Sequence, residues 1–172
     1  WRRFAISTRK SYLPTPSKIG EMKTRPTQNA VRALMSYGVN ADIIIARAEV
    51  GLDKKRKEKI EFMCSVPKGY VVSAPNVSSV YDVPINFEKD KLGEKLLSRL
   101  GLKSKNKDMR EWRKMALSSR KAKQIVKIGI VGKYFATGDF VLEDSYISVI
   151  EAIKHASWIN KCIPEIHWLS AE

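Results

Sequence analysis

Cysteine and histidine are scarce in this chain, with two of each in 172 residues. Cys64 and Cys162 stand far apart, so they form neither a disulfide framework nor a CxxC zinc knuckle, and such sparing use fits a reducing cytoplasm. His155 and His167 belong to no recognisable metal-ligand motif, which argues against a metal site. Cys162 and His167 lie five positions apart without a nucleophile elbow or a third orienting group, so a packed thiol is expected there. Long apolar runs are also missing. Ile43–Ala46 and Ile128–Val131 are far short of the roughly 18 residues of a membrane span, which predicts a soluble chain. Acid is deficient too: 18 Asp and Glu face 32 Lys and Arg, giving +14, a balance that suits nucleotides, nucleic acid or acidic lipid.

What the chain does have is 44% hydrophobic residues, enough for a sizeable core, and this excludes a disordered tail. The first twenty residues carry Arg2, Arg3, Arg9, Lys10 and Lys18 and no acid, as organellar transit peptides do. Trp1 in place of an initiating Met favours an internal piece of a longer chain over a processed import product. No apolar secretory segment is present.

Periodicity organises the rest. Val31, Leu34 and Met35 predict a short helix over 28–37, and 42–47 reads as a buried parallel strand. Asp53 would cap an amphipathic helix running to Cys64, closed by Pro67-Lys68-Gly69, with a strand at 70–74. Leu92, Leu96, Leu97 and Leu100 mark a helix stopped by Gly101, and 103–106 has linker composition. Between Lys103 and Lys127 ten basic residues face two acids, around Trp112 and Met115, as in a basic linker helix. A strand at 125–131, a helix at 144–158 and a strand starting at Ile166 follow. Alternating strands and helices on both sides of a linker predict an α/β chain with parallel sheets, neither half complete. No buried hydrophobic strand is expected within residues 1–11.

The most informative stretch is Gly20-Glu21-Met22-Lys23-Thr24-Arg25-Pro26-Thr27-Gln28. Two cations, two hydroxyls and an amide fall within six residues ahead of a helix, a composition that can grip phosphates or simply form a solvated helix entry. That loop resembles the uridine-nucleotide loop of CTP synthases. The resemblance continues, in order, through Ala41–Arg47, Arg56–Ile60, Val72–Pro75, Tyr81–Pro84, Ile128–Tyr134 and Ser145–Ala156, covering residues 12–172.

The resemblance implies an enzyme that aminates UTP to CTP with ATP and Mg²⁺, using ammonia from glutamine, with GTP as activator, in a cytoplasmic homotetramer. It implies that residues 1–102 are the end of a P-loop-type amidoligase domain with a parallel sheet, and 103–124 a basic interdomain linker. Residues 125–172 would begin a class I glutamine amidotransferase domain of flavodoxin-like fold. By the same resemblance Lys23, Thr24, Arg25, Pro26, Thr27, Gln28 and Lys59 would contact UTP or the inhibitor CTP. Pro75, Asn76 and Val77 would line the ATP adenine. Arg25 replaces the usual Lys and Asn76 a frequent Asp, so the first keeps charge with a different shape and the second removes a carboxylate.

No P-loop is present: Gly132-Lys133-Tyr134 lacks the first Gly, where Lys127 stands, and the hydroxyl, where Tyr134 stands. The family's Mg²⁺ carboxylates would lie before residue 1 and its Gly-x-Cys-x-Gly elbow after residue 172, so no residue of this chain is expected to be catalytic or to ligate metal. A different class of function is a non-catalytic basic module binding nucleic acid through the Lys54–Lys59 and Lys103–Lys127 clusters. Those clusters lack the interleaved exposed aromatics of a single-strand platform, which weighs against nucleic acid.

Overall fold

A computed structural model describes residues 7–16, 20–105, 107–133, 136–137, 140–141 and 146–171. Arg2, Arg3, Lys18, Tyr134 and the start of the helix expected from Asp144 lie outside them. The chain separates into two compact units, Trp1–Asp108 and Met109–Glu172.

The first unit is built on three parallel strands in the order β1 (Thr8–Tyr12), β2 (Ile43–Ala48), β3 (Val71–Pro75). Helix α1 (Arg25–Ser36) connects the first pair and α2 (Lys54–Met63) the second. Parallel neighbours need such crossovers, and the adjacent parallel pairing expected for the two apolar strands is observed. One face of the sheet packs Ile44, Ala46 and Val71 against Val31 of α1 and Ile60 of α2. The other face packs Ile43 and Val72 under α3 (Val83–Lys89) and α4 (Leu92–Leu100), through Phe87, Leu92 and Leu96. The sheet is thus covered on both faces, which explains why β2 reads as a continuous apolar run. Truncating Ile60, which is fully buried, would cost about 2–5 kcal/mol.

Local signals set the element ends. Asp53 accepts from the Arg56 N–H at 2.7 Å and caps α2. At the end of α4, Gly101 takes the left-handed conformation (φ 69°) while Leu102 N–H reaches Leu97 O at 2.8 Å, a closure that glycine permits without strain. The helix predicted from Gln28 instead begins at Arg25, because Pro26 fits a first turn where its missing N–H costs nothing. No buried hydrophobic strand was expected within residues 1–11, and β1, which starts there, alternates between exposed and half-buried positions with none fully buried. Its ladder to β2 supplies the backbone bonds, Ser11 Oγ bonds Thr27 Oγ1 at 2.9 Å, and the buried apolar residue, Leu13, comes just past its end.

In the second unit β4 (Gln124–Gly132) and β7 (Cys162–Ser170) pair in parallel, joined through α6 (Ile147–Ile159), with α5 (Arg110–Lys121) against α6. Two short strands, β5 (Ala136–Thr137) and β6 (Phe140–Val141), pair antiparallel. Ile125, Val131, Ile163 and Leu169 stay exposed on this two-stranded sheet. Among the described residues no helix is long and apolar enough to cross a membrane.

Candidate functional site

Ligands of open parallel α/β sheets sit beyond the carboxyl ends of the strands. In the first unit that edge carries the segment after β1, the start of α1 and the start of α2. Gly20 turns the chain with φ 64°, Gly20 N–H bonds Pro16 O at 3.0 Å and Lys23 N–H bonds Pro14 O at 2.9 Å. These bonds hold Gly20 and Lys23 against Pro16 and Pro14 at the sheet edge and deliver Lys23 beside the first turn of α1.

The result is a cavity of about 570 Å³. One wall is the loop and α1, with Glu21, Lys23, Thr24, Arg25 and Gln28; the other is α2, with Lys55, Arg56 and Lys59. Met22 and Met63 supply its apolar lining. Five cations therefore face one carboxylate. Glu21 bonds Lys23 Nζ at 2.9 Å, and this bond, with the charge of Lys23 and those of Arg56 and Lys59, holds the Glu21 carboxyl below its ordinary range. Arg56 is paired with Asp53. Arg25, Lys55 and Lys59 make no ion pair with any described residue.

Exposure divides the Lys23–Gln28 segment. Arg25 and Pro26 are exposed and Lys23 is half-buried, but Thr24, Thr27 and Gln28 are buried. Gln28 Nε2 donates to Thr24 Oγ1 at 3.1 Å, so the two neutral groups brace each other at the cavity wall. Thr27 is fully buried, its Oγ1 bonded to Ser11, and neither it nor Pro26 lines the cavity. Lys23 and Arg25 are not buried against carboxylates, the arrangement that would have made this a structural ion-pair site.

Pro75 ends β3, and Asn76 and Val77 follow it on the same sheet edge, outside the cavity. Asn76 N–H bonds Ala48 O at 2.9 Å and its Oδ1 accepts from Arg47 Nη2 at 3.0 Å, so the side chain that replaces an expected Asp is held by a neighbouring cation. Among the described residues no group of three or more His, Cys, Asp or Glu could hold a metal ion. The described residues do not fit a Mg²⁺ site.

Lys55 and Arg56 were not among the expected site residues. The signal was available: Lys55 and Lys59 are four apart, on one face of α2. A second concavity, of about 750 Å³ within the second unit, is lined by Met115, Trp158 and Ile159 together with Lys114, Lys121 and Lys161.

Fold and cavity define an α/β protein with an anion-attracting pocket at the carboxyl edge of a parallel sheet. The family model for the CTP synthase N-terminus matches residues 2–102. Over 162 residues, 94% of this chain, the sequence is 41% identical to a CTP synthase of Pyrococcus abyssi and 40% identical to that of Pyrococcus furiosus. A CTP synthase of Chloroflexus aurantiacus is 42% identical over 153 residues, 89% of the chain. The chain belongs to the CTP synthase family. It spans 29% of the length of the two Pyrococcus relatives and 27% of the Chloroflexus one.

Proposed function

We propose that the first unit supplies the uridine-nucleotide pocket of a CTP synthase, an enzyme that aminates UTP to CTP with ATP and glutamine-derived ammonia. The cavity between α1 and α2 is the observation that carries this reading. Its cations come from two separate segments and meet in one space, an arrangement that a merely solvated helix entry does not require.

In this reading Lys23, Arg25 and Lys59 hold the phosphates of UTP or CTP. Thr24 and Gln28, already bonded to each other, present a preorganised polar wall, while Pro26 and Thr27 fix the start of α1 rather than touch ligand. The chain's own residues thus bind and orient the nucleotide; the amination chemistry belongs to residues elsewhere in the enzyme. Pro75, Asn76 and Val77 line the ATP adenine through backbone groups at the end of β3. Residues 1–102 are the end of the amidoligase domain, 103–124 the linker and 125–172 the start of the glutaminase domain of a cytoplasmic homotetramer. ATP and Mg²⁺ are cofactors of that whole enzyme, and glutamine and GTP its further ligands.

Calorimetric titration of the chain with CTP tests the reading. Saturable binding that Lys59→Ala weakens about tenfold or more is expected, since a charge-assisted contact contributes about 1.5–3 kcal/mol. Absence of saturable binding, or binding indifferent to Lys59→Ala and Lys23→Ala alike, overturns it.

A further inference from the structure

Cations in the cavity outnumber what a single phosphate group can neutralise. Glu21 offsets Lys23 and Asp53 offsets Arg56, but Arg25, Lys55 and Lys59 have no carboxylate partner among the described residues. One phosphate brings a charge of about −2, and each further link of a phosphate chain brings more.

The placement along α2 adds a length scale. At about 100° and 1.5 Å per residue, Lys55, Lys59 and Met63 stack along one stripe, with Arg56 at its flank, and all four line the cavity. Lys55 and Lys59 are displaced by about 6 Å along the axis, so the α2 wall offers cations in series rather than at one point. Lys57 falls on the far side and is held by Asp90, at 2.6 and 2.7 Å, which fixes the helix phase that aims the stripe inward.

We propose that Lys55 and Arg56 are polyphosphate contacts of this cavity and give it a preference for three linked phosphates over one. The inference rests on the pocket reading above but assigns two residues that the family resemblance does not single out. Lys55 is the free cation that reaches the outer end of the chain of phosphates. Arg56, whose guanidinium Asp53 already orients, adds a planar donor pair.

The test is calorimetric titration of the 172-residue chain with sodium phosphate, pyrophosphate and tripolyphosphate, with circular dichroism confirming the fold of each variant. In the unmodified chain affinity should rise along that series. The K55A/R56A double variant should lose about tenfold or more for tripolyphosphate and less than twofold for phosphate. Lys54→Ala, which removes a cation from the same helix turn that is 88% exposed and outside the cavity, should change neither. Equal losses for both anions, no loss, or a Lys54→Ala effect as large as that of the double variant would overturn the proposal. If Lys23→Ala and Lys59→Ala weaken tripolyphosphate binding while the double variant does not, the pocket reading survives and this inference falls. If the unmodified chain binds no tripolyphosphate, both fall.

Discussion

Lys57 donates to both carboxylate oxygens of Asp90, at 2.6 and 2.7 Å, across 33 positions of sequence. The same carboxylate accepts the Ser73 N–H at 2.7 Å. This half-buried group, on the residue that closes α3, thereby ties α2 to the middle of β3. The helix face opposite this tie is the one that carries Lys55 and Lys59 into the cavity.

Asp90→Ala should therefore destabilise the first unit by about 2–4 kcal/mol in urea unfolding, because it leaves the Lys57 ammonium and the Ser73 N–H without their acceptor. Burial pushes the Asp90 carboxyl up, but the Lys57 bond, the Ser73 N–H and the charges of Lys57 and Lys95 together outweigh burial and hold it below its ordinary value of 3.8. The folded value thus lies below the unfolded one. The stabilisation is present above the ordinary value and is lost as pH falls through the lower folded value. The stability difference between the unmodified chain and Asp90→Asn should shrink on acidification below about pH 4; a difference constant down to pH 2 would remove the ionised pair as its cause.

Arg99 of α4 reaches Asp42 Oδ1 at 3.2 Å, while Asp42 Oδ2 accepts the Ser7 N–H at 3.1 Å, and the Arg99 guanidinium lies 5.0 Å from the Tyr70 ring centroid. Asp42 is buried, so Arg99→Met should cost about 3–5 kcal/mol. Arg99→Lys should recover only part of that, since an ammonium cannot stack its plane on Tyr70. Full recovery by Lys would mean that charge alone holds the contact.

The two thiols should react at different rates. Cys64 is buried, and that burial pushes its thiol up against a smaller opposing effect of Arg32. Cys162, at the first position of β7, is partly exposed and its thiol donates to Asn160 O at 3.3 Å. Iodoacetamide at pH 8 should label Cys162 at least tenfold faster than Cys64, read by peptide mass spectrometry. Equal rates would show that the first unit opens on the labelling timescale.

Which elements were legible in the sequence follows from where their stabilisation is local. Asp53 and Gly101 announced the limits of α2 and α4 because capping acts within one turn. The apolar strands β2 and β3 showed themselves by double burial. β1 did not, since Thr8–Tyr12 carries Arg9, Lys10 and Ser11 and gains its place from the ladder to β2. The Lys23–Gln28 segment could be read as phosphate-binding in composition. Its division into exposed cations and buried, mutually bonded neutral groups depends on contacts with Ser11 and within the first turn of α1. The contribution of Lys55 and Arg56 was hidden in a run of five basic residues among six, whose inward side is set by Ile60 packing in the core and by Lys57 meeting Asp90.

Nucleotide phosphates should enter the cavity between α1 and α2. Amide NMR of the ¹⁵N-labelled chain titrated with UTP tests it most directly. Saturable shift changes should concentrate at residues 21–28 and 54–59, with the midpoint of the titration moved about tenfold or more to higher UTP by Lys59→Ala. Shifts clustered instead around Met115 and Trp158 in the second unit, or no saturable shifts at any residue, would contradict it.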